Sequence, residues 1–141
     1  MQNDREIWYM IDSSFITTLP DTWGIGEKFL LLPINKWDNE YQRVVLGGLT
    51  CDSHDYYDSE EHVNEVFLPK TNGDNKEPLY LGFFHTGAYQ DQISGYGGIK
   101  HCMIPSPKHI IIGYDKNGKL HDWVYAKEQS AQSMLKILGY M

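Results

Sequence analysis

Short apolar runs broken by glycine, proline and asparagine recur along most of the chain, and helical periodicity is confined to its C-terminal end. Residues 6–11 are aromatic and β-branched enough to form a strand, and Ser13 opens a segment that can turn helical before Pro20. Residues 29–34 and 43–49 read as two buried strands separated by a polar stretch over 35–41. Gly47 and Gly48 weaken the end of the second. Glycines late in a strand mark a bulge or a close backbone approach, and this pair lies just ahead of Cys51.

The polar and acidic run 54–64 predicts a loop or short helix, and strand character resumes over 65–68. Residues 70–77 collect Thr, Asn, Gly, Asp and Lys before Pro78, a strong surface-loop signal. Residues 79–84 are apolar enough for an interior strand that delivers Gly87 to the next turn. The span 94–100 is glycine-rich, and Pro105 and Pro107 close an irregular stretch. Residues 109–114 and 120–125 then flank Asn117-Gly118, which predicts a hairpin with a tight turn. Ala131, Met134, Leu135 and Leu138 recur at helical spacing, and Gly139 can end that helix in a left-handed cap. Many strands with one terminal amphipathic helix predict a mainly β fold, a sandwich or barrel-like domain, with residues 1–141 forming a single domain. The regular alternation with long helices that a parallel βαβ fold needs is absent.

Composition narrows the function classes. The chain has 141 residues, 41% hydrophobic and 13% aromatic, which suits a packed core and argues against disorder. Its apolar runs fall short of the roughly 20 residues that span a bilayer, and residues 1–6 have no signal-peptide character, so a cytoplasmic protein without a membrane partner is expected. A formal net charge of −7 disfavours nucleic acid and is compatible with a cationic substrate. Cys51 and Cys102 make no disulfide framework and no CxxC pair, and the six histidines show no metal-ligand spacing. No metal site is expected, because adjacent residues such as His101 and Cys102 rarely both face one ion.

Candidate chemistry is concentrated in Thr50-Cys51-Asp52-Ser53 and Gly87-Ala88-Tyr89. A cysteine thiol, with a reference pKa of about 8.5, can give or take a proton near working pH, although a lone cysteine is as readily a small core residue. Asp52 can accept two parallel hydrogen bonds from a guanidinium, or it can cap the turn after the strand, and Ser53 reads as a cap. The Tyr89 hydroxyl can meet a phosphate, with Gly87 allowing a close backbone approach, or it can be a half-buried strand-end tyrosine. Asp12 reads as a solvated strand-end aspartate and Tyr96 as a loop tyrosine. Trp8, Trp23, Trp37 and Trp123 read as core or interface anchors.

Three stretches carry a family resemblance: Ser14-Phe15 through Leu19-Pro20-Asp21-Thr22-Trp23-Gly24-Ile25 with Phe29 and Pro33, then Thr50-Cys51-Asp52-Ser53, then Leu81-Gly82-Phe83-Phe84 with Gly87-Ala88-Tyr89-Gln90. In order and spacing they resemble the C-terminal β-domain of the pyridoxal-phosphate decarboxylases that join an alanine-racemase-like barrel to a β-domain. The first stretch points more narrowly to biosynthetic arginine decarboxylase, while the others are shared, in variant forms, with ornithine and diaminopimelate decarboxylases. The resemblance covers most of residues 7–90 and is diffuse beyond, apart from 130–140. The long helical insertions of many bacterial arginine decarboxylases are not evident.

The resemblance implies an enzyme that converts arginine to agmatine and carbon dioxide in polyamine biosynthesis. Its cofactor would be pyridoxal 5'-phosphate held mainly by a barrel domain outside this chain, with magnesium in the full-length enzyme. By the same resemblance Cys51 is the catalytic proton donor at Cα, Asp52 binds the distal cationic group of the substrate, and Tyr89 lies near the cofactor phosphate. Cys51 and Asp52 would serve the site of the other protomer and Tyr89 its own, so a homo-oligomer, a dimer or higher, is expected, and the isolated chain is expected to be inactive. Ornithine, lysine or a carboxylated polyamine are the alternative substrates. A non-catalytic interaction domain that retains the fold is the alternative from another class.

Overall fold

A computed structural model of the chain describes residues 6–57, 66–73 and 76–141. It divides into two compact units, Met1–Ser94 and Gly95–Met141.

In the first unit the strand β1 (Trp8–Met10) leads into two short helices, α1 (Phe15–Thr18) and α2 (Pro20–Gly24). Ser14 caps α1 by accepting a hydrogen bond from the Thr17 amide at 3.2 Å. The segment is helical before Pro20, as expected, but Pro20 starts the second helix rather than closing the region, its fixed φ and missing N–H being suited to a first helical position. The strands β2 (Leu30–Pro33), β3 (Tyr41–Arg43), β4 (Val45–Gly47), β5 (Tyr56–Tyr57), β6 (Phe67–Pro69) and β7 (Leu81–Phe84) follow, and α3 (Gln90–Ser94) closes the unit.

The expected single strand over 43–49 is instead a corner between two sheets. The β3 strand runs antiparallel to β6, and the Val44 amide extends that ladder to the Val66 carbonyl. One residue later the Val45 amide bonds the Ile7 carbonyl, and β4 lies parallel to β1 and antiparallel to β5. The parallel β1–β4 pair is made without any long crossover helix between its strands. The run expected to be a loop or short helix begins with β5, and residues 58–65 lie outside the described residues.

The core gathers where these pieces meet. Phe15, Leu19, Val44, Leu46, Tyr57, Val66 and Leu68 form one buried cluster, with Leu46 0% exposed. Phe15 stacks on Tyr57 at a centroid distance of 5.7 Å, and Phe83 meets both rings edge-on at 5.8 Å, a geometry that adds about 0.5–1.5 kcal/mol per pair beyond burial. Burial pushes the Tyr57 hydroxyl pKa up, and the hydroxyl donates to the Phe29 carbonyl at 3.4 Å. The β2–β7 ribbon contributes one face only: Leu31 and Phe83 pack on the core while Leu30, Leu32 and Phe84 are exposed. Among the described residues neither strand is interior, contrary to expectation, because each pairs only with the other in this sheet. All four tryptophans are exposed, which removes the core alternative for them and leaves that of interface anchors.

The second unit is built on the hairpin β8 (His109–Tyr114) and β9 (Leu120–Ala126), followed by α4 (Ala131–Ile137). Its turn is longer than the tight turn expected: the Gly118 amide bonds the Asp115 carbonyl at 2.9 Å, and Gly118 takes the positive φ, +76°, that follows such a turn. The Asp115 carboxylate is held below its ordinary pKa by the Lys119 amide, by His121 and by the Asn117 amide. Helix α4 is capped at its start by Ser130 and at its end by Gly139 at φ +82°. There the Tyr140 amide reaches the Leu135 carbonyl and the Gly139 amide the Lys136 carbonyl. Only Met134 of α4 is buried, so the apolar stripe of this amphipathic helix is largely exposed. The structure is thus mainly β, with several small sheets and no closed barrel among the described residues.

Candidate active site

The turn that carries Cys51 is built from residues that sequence reasoning largely passed over. The Gly48 amide donates to the Asp55 carbonyl at 2.7 Å, and the Asp55 amide donates to the Asp52 carbonyl at 3.1 Å. Between these closures the Asp55 carboxylate, in a residue 5% exposed, accepts the Thr50 amide at 3.0 Å and the Thr50 hydroxyl at 2.6 Å on Oδ2. On Oδ1 it accepts the Phe15 amide at 2.8 Å and the Ile16 amide at 3.4 Å, which are donors at the start of α1 with no partner inside that helix. Burial alone would raise the Asp55 pKa, but the hydrogen bonds from Thr50, Ser14 and Phe15 outweigh it and hold the carboxyl below the ordinary value of 3.8. Both members of the glycine pair seen in the sequence are required by close approaches: a Cβ at Gly48 would run into the Asp55 carboxylate, and one at Gly47 into the Met10 side chain.

Above this floor Cys51 is exposed and Asp52 is half-buried. The buried-thiol alternative is thereby removed. Asp52 does cap the turn: its Oδ1 accepts the His54 amide at 2.8 Å, with the His54 ring Nδ1 3.4 Å away. Ser53, which the sequence suggested as a cap, places its hydroxyl 3.4 Å from His54 Nδ1 instead. A carboxylate offers about four lone-pair sites, so one bond to the His54 amide leaves Asp52 able to accept a bidentate guanidinium.

Tyr89 follows β7 at the entrance to α3 and is 68% exposed, so it is not the half-buried strand-end residue of the alternative reading. Its φ of +67° is a left-handed conformation that a bulky L-residue adopts at a cost of roughly 1–2 kcal/mol. A Cβ at Gly87 would meet nothing within 4 Å, so the space over that glycine is open rather than filled by a neighbouring segment of this chain. The next residue, Gln90, is 3% exposed and reaches α2: its Nε2 donates to Asp21 Oδ2 at 2.8 Å, and its Oε1 accepts the Asp21 amide at 3.3 Å. Thus the short helices α1 and α2 connect the two candidate turns, one through Asp55 and the other through Gln90. Gln90 was visible as part of a motif but without a role. The signal for Asp55 was Gly48 of the Gly47-Gly48 pair, whose close approach is to that acid, whereas Gly47 approaches Met10 and Trp8.

The remaining candidates are placed plainly. Asp12 is exposed just after β1, and Tyr96 is an exposed loop residue whose hydroxyl donates to the Lys127 carbonyl at 2.6 Å. Cys102 is exposed in a short 3-10 turn over His101–Met103. Among the described residues, no helix is long and apolar enough to cross a membrane.

No family model matches the chain. It is 30% identical over 135 residues to the biosynthetic arginine decarboxylase of Marinobacter nauticus, covering 93% of this chain and 20% of that enzyme. It is also 30% identical over 137 residues to that of Proteus mirabilis, covering 94% of the chain and 20% of the enzyme. Against the arginine decarboxylase of Glycine max it is 36% identical over 89 residues, 62% of the chain and 13% of the enzyme. The likeness to the bacterial enzymes therefore extends past Gln90, where the motifs alone were diffuse. The chain spans about a fifth of the length of these curated bacterial relatives.

Proposed function

Because the chain belongs with the biosynthetic arginine decarboxylases, as a match to their C-terminal part, we propose that it is the β-domain of a pyridoxal-phosphate-dependent enzyme that turns arginine into agmatine and carbon dioxide. The observation that carries this reading is the exposed Cys51 beside the half-buried Asp52, presented on a turn fixed from beneath by a buried acid. Pyridoxal phosphate supplies an electron-withdrawing ring that accepts the electron pair released as carbon dioxide leaves. The chain's own residues do the rest. The Cys51 thiol gives its proton to the substrate Cα, a role suited to a group whose reference pKa of about 8.5 keeps it mostly protonated at neutral pH yet able to release the proton. Asp52 takes the guanidinium in two parallel hydrogen bonds while its bond to the His54 amide holds the carboxylate in register.

The residues present fit one contact to the cofactor. The Tyr89 hydroxyl is an exposed donor suited to a phosphate oxygen, and the open space over Gly87 admits a group from outside this chain. The strained backbone at Tyr89 supports the same reading, since such outliers persist where a side chain must be aimed. An exposed thiol, an exposed tyrosine hydroxyl and a half-buried acid suit a cavity completed by a second surface. We therefore assign Cys51 and Asp52 to the site of a second protomer and Tyr89 to its own, in a homodimer completed by barrel domains.

The test is complementation. The Marinobacter nauticus enzyme, truncated by the part that matches this chain, is mixed or fused with the chain and assayed for carbon dioxide release from arginine, with ornithine and lysine in parallel. Release from arginine, lost on Cys51→Ala, is the expected result. A stable complex that releases no carbon dioxide from any of the three would favour a binding role instead.

A further inference from the structure

Cys51 lies between two residues that are each tied to Asp55. Thr50 is held through its amide and its hydroxyl, and Asp52 through its carbonyl. The backbone bond from Gly48 to Asp55 closes the same loop one step further out. The two carboxylate oxygens divide their work: Oδ2 faces Thr50, and Oδ1 faces the amides of Phe15 and Ile16. An exposed turn of this length would otherwise sample many backbone states, and the position of the thiol would vary with them. Nothing in the proposed chemistry consumes or binds through Asp55, yet it has the densest set of donors around that turn among the described residues.

We infer that Asp55 is the positioning residue of Cys51: a buried carboxylate that locks Thr50 to the start of α1 and so fixes where the thiol is presented. The inference rests on the proposed reading for its catalytic meaning, but the placement itself can be measured without that reading. A reacting group displaced by about 1 Å can lose on the order of 100-fold in rate, so a small slackening of this turn is enough to matter. Thr50 is the cleanest lever. Thr50→Val keeps the shape but removes the hydroxyl donor, whereas Thr50→Ser keeps the donor.

The experiment uses the full chain carrying Cys102→Ser, so that iodoacetamide reports on Cys51 alone, and follows the alkylation rate against pH. Thr50→Val and Asp55→Asn are expected to change the limiting rate or move its midpoint, with a rate change of about threefold or more. Thr50→Ser should restore the parent profile. Leu68→Val, which removes core volume but none of the hydrogen bonds to Asp55, should leave it unchanged. In the complemented enzyme, Thr50→Val should lower agmatine formed per carbon dioxide released, while KM for arginine moves less than kcat. If Asp55→Asn does not fold, the Thr50 pair decides alone. Parent-like alkylation in Thr50→Val, or an equal change in Leu68→Val, overturns the positioning role. Full activity of Cys51→Ala overturns the proposed chemistry, and with it the catalytic part of this inference, while the alkylation profiles still decide whether Asp55 places the thiol.

Discussion

Gln90 and Asp21 grip each other twice, side chain to side chain at 2.8 Å and backbone amide to side-chain oxygen at 3.3 Å. Because Gln90 is buried, its removal leaves Asp21 with unmet polar groups at the foot of the Tyr89 turn. Gln90→Ala should cost about 0.5–1.5 kcal/mol in urea unfolding, the net range for a hydrogen bond whose remaining partner, Asp21, is half-buried. A change below a few tenths would show the pair to be ornamental.

Asp55 gives the fold an acid-sensitive component with a definite sign. Its folded pKa lies below 3.8, because the bonds from Thr50, Ser14 and Phe15 outweigh the burial that would raise it. The stability it contributes is therefore fully present above the ordinary value and is lost as pH falls through the lower, folded one. The stability gap between the parent chain and Asp55→Asn should be constant near neutrality and narrow as pH falls through 3.8 and below. A gap that widens on acidification would reverse the assignment.

Tyr89 stores strain that a glycine would release. We expect Tyr89→Gly to stabilise the isolated chain by about 1 kcal/mol, read by denaturant midpoint, because the side chain is exposed and contributes little packing. In the complemented enzyme the same change should weaken pyridoxal phosphate binding. Loss of stability would mean that the ring packs more than its exposure indicates.

Gly48→Ala forces a methyl into the Asp55 carboxylate, against which its Cβ would stand at 2.3 Å. A destabilisation of about 1–3 kcal/mol is expected from overpacking, visible as a lowered Tm. Gly87→Ala, whose Cβ meets nothing within 4 Å, is the matched control and should be near neutral in the chain alone.

Asp52 is the substrate-side test. Asp52→Ala in the complemented enzyme should raise KM for arginine by roughly 10- to 150-fold, the equivalent of about 1.5–3 kcal/mol for a hydrogen bond to a charged group. An unchanged KM would confine Asp52 to capping the His54 amide.

Local chemistry was legible in the sequence and long-range pairing was not. The β8–β9 hairpin and the Gly139 cap could be read because their bonds close within a few residues. The corner at Val44 could not, since what divides one apolar run between two sheets is the presence of Val66 on one side and Ile7 on the other. The family motifs pointed to Cys51, Asp52 and Tyr89, but not to the acid beneath the Cys51 turn. Asp55 shows its role only when Phe15, 40 positions earlier, is folded against it. The tryptophans misled in part because aromatic bulk signals burial without saying which chain provides it.

The pairings of the first unit also impose an order on synthesis. Trp8 waits for Val45, Tyr41 for Pro69 and Leu30 for Phe84. A growing chain leaving the ribosome therefore holds β2 without its mate until nearly the whole unit has emerged, and those wide loops must close before any bond rewards them. The β8–β9 ribbon, whose ends are neighbours, can zip within microseconds of emerging.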